Sequence, residues 1–284
     1  MPDIERPDGA VIHYETFGNG FPLLCFAPGG VNSEIDFWSI SAINPIKEFA
    51  SDFMVIGMDQ RNAGKSPAPA RPAPYDVLVA DQIAVLDDIG AAQAHTYGGC
   101  IGVAYILRIA QEAPARITAG VGQDPVGLNH TNSLETFMDM FQPTLTLARR
   151  EGVQAVVEAA LANPIFMANN AAGPFARRIH DDAGFREEIQ AMTTAAYVRL
   201  IESYADAIWP DRPPYFSVDA GWVQNCETPL LILPGSDQFH PTSIAEQICR
   251  DAKNALCLDV DCRSEAKVTE TIEIIRSFLK EHTP

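Results

Sequence analysis

Long apolar runs are missing from this 284-residue chain. No stretch approaches the about 18 apolar residues that a membrane-spanning helix needs. The opening residues, MPDIERPDGA, carry neither the basic nor the apolar region of a secretion leader. A basic surplus is missing too: 20 Lys and Arg stand against 37 Asp and Glu, a formal charge of −17. That average field repels polyanions, so nucleic acid and anionic membrane surfaces are poor partners, and a small-molecule substrate is expected instead. The six cysteines, Cys25, Cys100, Cys226, Cys249, Cys257 and Cys262, form no C-x-x-C pair and no zinc-like spacing. They read as free thiols of a reducing cytoplasm. No dinucleotide fingerprint or phosphate-cradling glycine loop occurs, so no cofactor is expected. Oligomeric state is not written in the sequence; a homodimer stays open beside a monomer.

Apolar residues are plentiful at 47 %, enough for one large domain with a sizeable core. Residues 10–17 alternate like an exposed antiparallel strand. Apolar runs at 21–28, 53–58, 95–99, 117–122, 228–235 and 255–260 read as buried strands. Helical spacing is found at 75–89, 101–113, 242–250 and 266–280. Strands alternating with helices predict a mostly parallel central sheet covered by helices on both faces. Residues 129–222 break this pattern, with helical pieces at 133–142, 144–161 and 185–208. The expected organisation is therefore a core of residues 1–128 and 223–284, interrupted by an all-helical lid over residues 129–222.

The chemistry-bearing candidate is Cys100, within Gly98-Gly99-Cys100-Ile101-Gly102, between a predicted strand and a predicted helix. Small residues on either side let strand and helix approach closely. A helix N-terminus beside a thiol favours the thiolate, the reactive form.

Three further segments fall in order around this turn: Pro28-Gly29-Gly30, Asp59-Gln60-Arg61-Asn62-Ala63-Gly64-Lys65-Ser66 and Gly235-Ser236-Asp237. Together they resemble the α/β-hydrolase superfamily over the whole chain except the lid. The resemblance implies that Cys100 is the nucleophile at a strand–turn–helix elbow. It implies that the backbone N–H groups of Ile101 and Gly30 form an oxyanion hole, although Pro28-Gly29-Gly30 departs from the usual His-Gly-x. It also makes Asp237 the acid, with Asp124 as the alternative after an earlier strand. The superfamily's late histidine is absent: the position falls near Asp261-Cys262-Arg263, and no histidine lies between 241 and 281. A thiol needs a base less than a hydroxyl does, and His240, three residues after Asp237, is the candidate base. His130 ranks behind it as a pocket residue, while His13, His95, His180 and His282 read as exposed or structural.

Phe137, Met138, Met140, Phe141, Phe166, Met167, Tyr197, Tyr204 and Trp209 in the lid, with Phe37 and Trp38 near the oxyanion loop, suggest an apolar cavity, although lid-to-core packing accounts for most of them. The leading expectation is a cysteine-dependent hydrolase or acyl-transfer enzyme acting on an ester, lactone, thioester or other activated carbonyl. Two alternatives are carried: a lyase or carbon–carbon bond-cleaving enzyme, and a non-catalytic ligand-binding protein. Fold alone does not separate them.

Overall fold

The apolar runs become the strands of one eight-stranded sheet, ordered β1-β2-β4-β3-β5-β6-β7-β8. The strands are β1 (Asp3–Glu5), β2 (Val11–Phe17), β3 (Phe21–Phe26), β4 (Phe53–Met58), β5 (Ala94–Gly99), β6 (Ile117–Gln123), β7 (Leu230–Leu233) and β8 (Ala255–Cys257). β1 and β2 are antiparallel to their neighbours, and the rest are parallel. The computed structural model describes residues 2–130 and 132–284. Among these, no helix is long and apolar enough to cross a membrane.

Among the described residues twelve α-helices accompany these strands. They are α1 (Pro45–Phe49), α2 (Tyr75–Asp88), α3 (Ile101–Glu112), α4 (Leu134–Met138), α5 (Gln142–Glu151), α6 (Val153–Ala162), α7 (Ala176–Asp181), α8 (Ala183–Gln190), α9 (Thr194–Ile208), α10 (Ala220–Val223), α11 (Thr242–Asp251) and α12 (Val268–Glu281). From β3 the chain crosses to β4 on one side, then returns to place β5 on the other. The strand order therefore reverses between β3 and β5, the crevice where open α/β sheets bind ligands at their carboxyl ends. The ends of those two strands lead into Gly29-Gly30 and Cys100.

Three sequence expectations are corrected. Residues 10–17 do not form an exposed strand: Ile12, His13 and Tyr14 are buried, because β1 covers the outer edge and the Tyr14 hydroxyl donates to Asp88 Oδ2 of α2 at 2.5 Å. The single helix expected over 144–161 is two helices broken at Gly152, whose φ of 89° lies outside the helical region. The helix expected over 185–208 is likewise divided, and Thr193 Oγ1 caps α9 by accepting from the Ala196 N–H at 3.2 Å.

The cysteines also differ from expectation. Cys249 and Cys257 form a disulfide, since α11 packs directly on β8 and brings their Cα atoms to 5.9 Å. Disulfides persist in oxidising compartments, so this pair removes the cysteine argument for a reducing cytoplasm. Cys25, Cys226 and Cys262 are free and buried, whereas Cys100 is only half-buried.

The Asp59–Ser66 loop braces the carboxyl end of β4. Asp59 accepts N–H bonds from Ile35 and Lys65, each at 2.7 Å. Arg61 is buried against Asp81 and Asp8. Removing one partner of such a buried pair typically costs about 3–5 kcal/mol, because the other charge is left uncompensated.

Candidate active site

Cys100 occupies a backbone conformation that side-chain-bearing residues rarely adopt, φ 58° and ψ −118°. Strained conformations of this kind persist only where surrounding contacts over-determine them. Here the Cys100 N–H donates to the Gln123 carbonyl at 2.8 Å and its own carbonyl accepts from Val103 at 3.1 Å. The flanking glycines are dictated by approach distance. A Cβ on Gly98 meets the Gly102 carbonyl oxygen at 2.4 Å, and one on Gly102 meets the Phe26 carbonyl oxygen at 2.5 Å. The turn sets the sulfur ahead of α3, whose first N–H groups have no intrahelical partner.

The second component comes from the loop between β7 and α11. Asp237 Oδ1 accepts the backbone N–H groups of Phe239 and His240 at 2.8 and 3.0 Å, which folds the loop back on itself. Both carboxylate oxygens then lie 2.8 Å from His240 Nδ1. With a proton held on Nδ1 by this carboxylate, Nε2 is the atom turned inward. Nε2 is buried with no hydrogen-bond partner among the described residues, and His240 and Cys100 border the same cavity.

Electrostatics follow from that placement. Burial alone would lower the His240 value, but Cys100 and the Asp237 carboxylate outweigh it and raise it to about 10. Burial likewise pulls the Asp237 carboxyl up, yet His240 and the two N–H donors hold it below its usual value. Because the folded value of His240 exceeds its unfolded value of about 6.5, its contribution to stability is complete below about pH 6.5. It is lost as pH rises through about 10. The thermal midpoint of the native chain is therefore expected to fall more steeply between pH 7 and 10 than that of Asp237→Asn, by about 2 °C or more. Calorimetry of both proteins across that range checks this, and parallel curves would remove the coupling.

The other candidates are placed as follows. Asp124, at the end of β6, pairs with Arg263. Arg263 Nη2 also donates to the Pro234 carbonyl at 2.6 Å. Thus an arginine bound to the ends of β6 and β7 stands where the resemblance would put a histidine. His130 is exposed in a turn. Trp38 is buried against Tyr97, ring centroids 5.5 Å apart, and does not border the cavity; its neighbour Phe37 does. His13 bonds Asp3 and Glu15, at 2.7 and 3.1 Å. His95, lowered by burial to about 4 and so neutral, bonds Thr118 and Thr283.

Cys100 and His240 face a cavity of about 180 Å³. Gly29, Gly30 and Val31 border it on the β3 side. Phe137, Met140, Phe166, Met167 and Trp209 border it from the helical insertion. Val31, Val126 and Phe239 escaped the sequence reading. Phe239 was discoverable, since a residue beside a candidate base on a short loop shares its surroundings; its ring lies 5.8 Å from Phe137. Ile101 is fully buried behind the turn. Neither its N–H nor that of Gly30 donates to a loop or turn carbonyl among the described residues.

Known proteins resemble this chain in sequence and in fold. Epoxide hydrolase 4 of Mus musculus is 33 % identical over 103 residues, 34 % of this chain and 27 % of that protein. Putative carbamate hydrolase RutD of Variovorax paradoxus is 28 % identical over 158 residues, 55 % of each chain. This chain thus spans between about a quarter and about half the length of these curated relatives. A thermophilic esterase from Thermogutta terrifontis superposes with a TM-score of 0.63 at 18 % identity, covering 100 % of this chain and 99 % of that one. At that identity the likeness speaks for the fold. The sequence profile described as alpha/beta hydrolase fold matches residues 22–268, taking in the turn at Cys100, the insertion and the loop of Asp237 and His240. The chain belongs to the α/β-hydrolase family.

Proposed function

We propose that this protein is a hydrolase or acyl-transfer enzyme in which Cys100 attacks an activated carbonyl of a small apolar substrate. One observation carries the reading: a cysteine in a strained turn shares a cavity with a histidine whose orientation is fixed by a carboxylate. In the proposed cycle His240 already carries the proton on Nε2 as the imidazolium of an ion pair with Cys100, and the anionic sulfur of that pair forms a bond to the carbonyl carbon. The carbonyl π pair moves to oxygen, where the N–H groups of Ile101 and Gly30 receive it; one such donor is typically worth about 3 kcal/mol. Collapse breaks the bond to the leaving group, which takes the proton from His240. Water then attacks the thioester with His240 accepting its proton, the acid departs, and the ion pair is restored. Asp237 acts as a positioning residue, holding the Nδ1 proton and stabilising the imidazolium.

The relatives are named for hydrolysis of epoxides and carbamates, which supports hydrolysis as the reaction class. In this reading the helices between β6 and β7 act as the lid that closes an apolar wall over the bound substrate. The test is to mix the protein with a nitrophenyl ester, quench in acid within a turnover, and map the adduct by mass spectrometry. The expected result is one acyl group on the Cys100 peptide. Turnover with no acyl group on Cys100 at any time point would overturn the nucleophile assignment.

A further inference from the structure

The catalytic cavity is too small to explain the surface outside it. At about 180 Å³ it compares with a cavity of about 150 Å³ that holds benzene. It falls below the range of about 300–1,000 Å³ usual for small-molecule sites. Against its mouth lies a second hollow of about 410 Å³. Phe37 and Met167 line both, so the two hollows adjoin across these side chains, and Cys100 borders the inner one.

The outer hollow is apolar where a surface ordinarily is not. Ile40, Ile165 and Met167 are 76 %, 53 % and 51 % exposed. They are half of the large hydrophobic side chains left exposed among the described residues, and all three border this groove. Contiguous exposed apolar surface marks a binding site rather than chance. The wall is built from two separate places, the short helical turn Ile35–Ile40 after β3 and the turn Phe166–Ala168 of the insertion. Its charged margin is self-neutralised: Arg177 faces Glu34 at 3.9 Å, and Glu34 also accepts the Gly64 N–H at 2.7 Å. An uncharged occupant is therefore favoured.

We propose that this groove is the outer half of the substrate site and takes an uncharged linear apolar chain attached to the scissile carbonyl. This rests on Cys100 being the nucleophile. The small end of the substrate fills the inner cavity, and the chain leaves between Phe37 and Met167 to lie over Ile40 and Ile165. Substrates are then elongated amphiphilic esters or thioesters, with the chain on the acyl side or the leaving-group side.

Two measurements test this on the full chain, using the double variant Ile40→Ser/Ile165→Ser. In the first, kcat/KM is followed along nitrophenyl esters from acetyl to decanoyl, and along acetyl esters of lengthening alcohols. The native protein is expected to gain about two- to fourfold per added methylene along one series. The double variant is expected to lose at least about tenfold of the long-to-short ratio. The series that rises identifies the side carrying the chain. The second measurement needs no turnover: decanol displaces the fluorescent probe phenylnaphthylamine, and its affinity is expected to fall at least about tenfold in the double variant. Weakened decanol binding without ester turnover in the native protein would sink the nucleophile reading and leave the groove standing. An unchanged ratio together with unchanged decanol affinity overturns the groove. So does loss of binding to phosphatidylcholine vesicles with the ratio intact, which assigns the patch to a lipid surface.

Discussion

Cys100→Ala is expected to lower ester turnover by about 10⁴-fold or more, since removing a nucleophile leaves only the binding and oxyanion contributions. The cavity walls and the N–H groups of Ile101 and Gly30 survive the substitution, so a small residual rate over water remains. Folding is expected to survive as well, because Cys100 is only half-buried and alanine relieves nothing the turn depends on. A second readout separates loss of chemistry from loss of structure. Cys100 is the strongest of the groups that raise His240 against the pull of burial. In Cys100→Ala the imidazole should therefore titrate below its native value of about 10, visible in the ring-proton shifts. Turnover that survives the substitution would move the chemistry to His240 and favour the carbon–carbon cleaving alternative.

His240→Ala is expected to cost about 10²–10⁴-fold in kcat, the span typical of a general acid–base group. The loss should be smaller than for Cys100→Ala, because a thiol retains some nucleophilicity without a base. Asp237→Asn should fall between native and His240→Ala. The asparagine keeps the loop acceptor for Phe239 and His240 N–H but removes the charge facing Nδ1. Pre-steady-state kinetics on the three proteins decide the order. If His240→Ala turns over as fast as the native chain, the base assignment fails and the pair is structural.

The turn at Cys100 was legible because its requirements are local: glycine where a Cβ strikes backbone, a strand before, an apolar helix after. The strands were legible because a sheet covered on both faces leaves continuous apolar runs. β1 was not, since Asp3–Glu5 is three residues long and two are charged, so only pairing with β2 makes it a strand. The Cys249–Cys257 pair depends on how α11 lies on β8, a relation that spacing along the chain does not encode. Phe37 and Trp38 differ for a similar reason. Adjacent side chains on a tight helical turn diverge, so one borders the cavity and the other packs on Tyr97. The proximity of His240 to Cys100 was suggested by the strand end preceding it. The folding-back of the loop onto Asp237, which aims Nε2 inward, needed the structure.

Under the proposed mechanism Arg263 fills the place after β8 from which a histidine would otherwise be drawn, and the imidazole comes instead from the loop that also supplies the carboxylate. Asp237 and His240 are thus inherited on one short stretch of coding sequence rather than on two. A recombination event near this loop keeps both or loses both. A chain that receives the segment acquires the acid and its imidazole already matched.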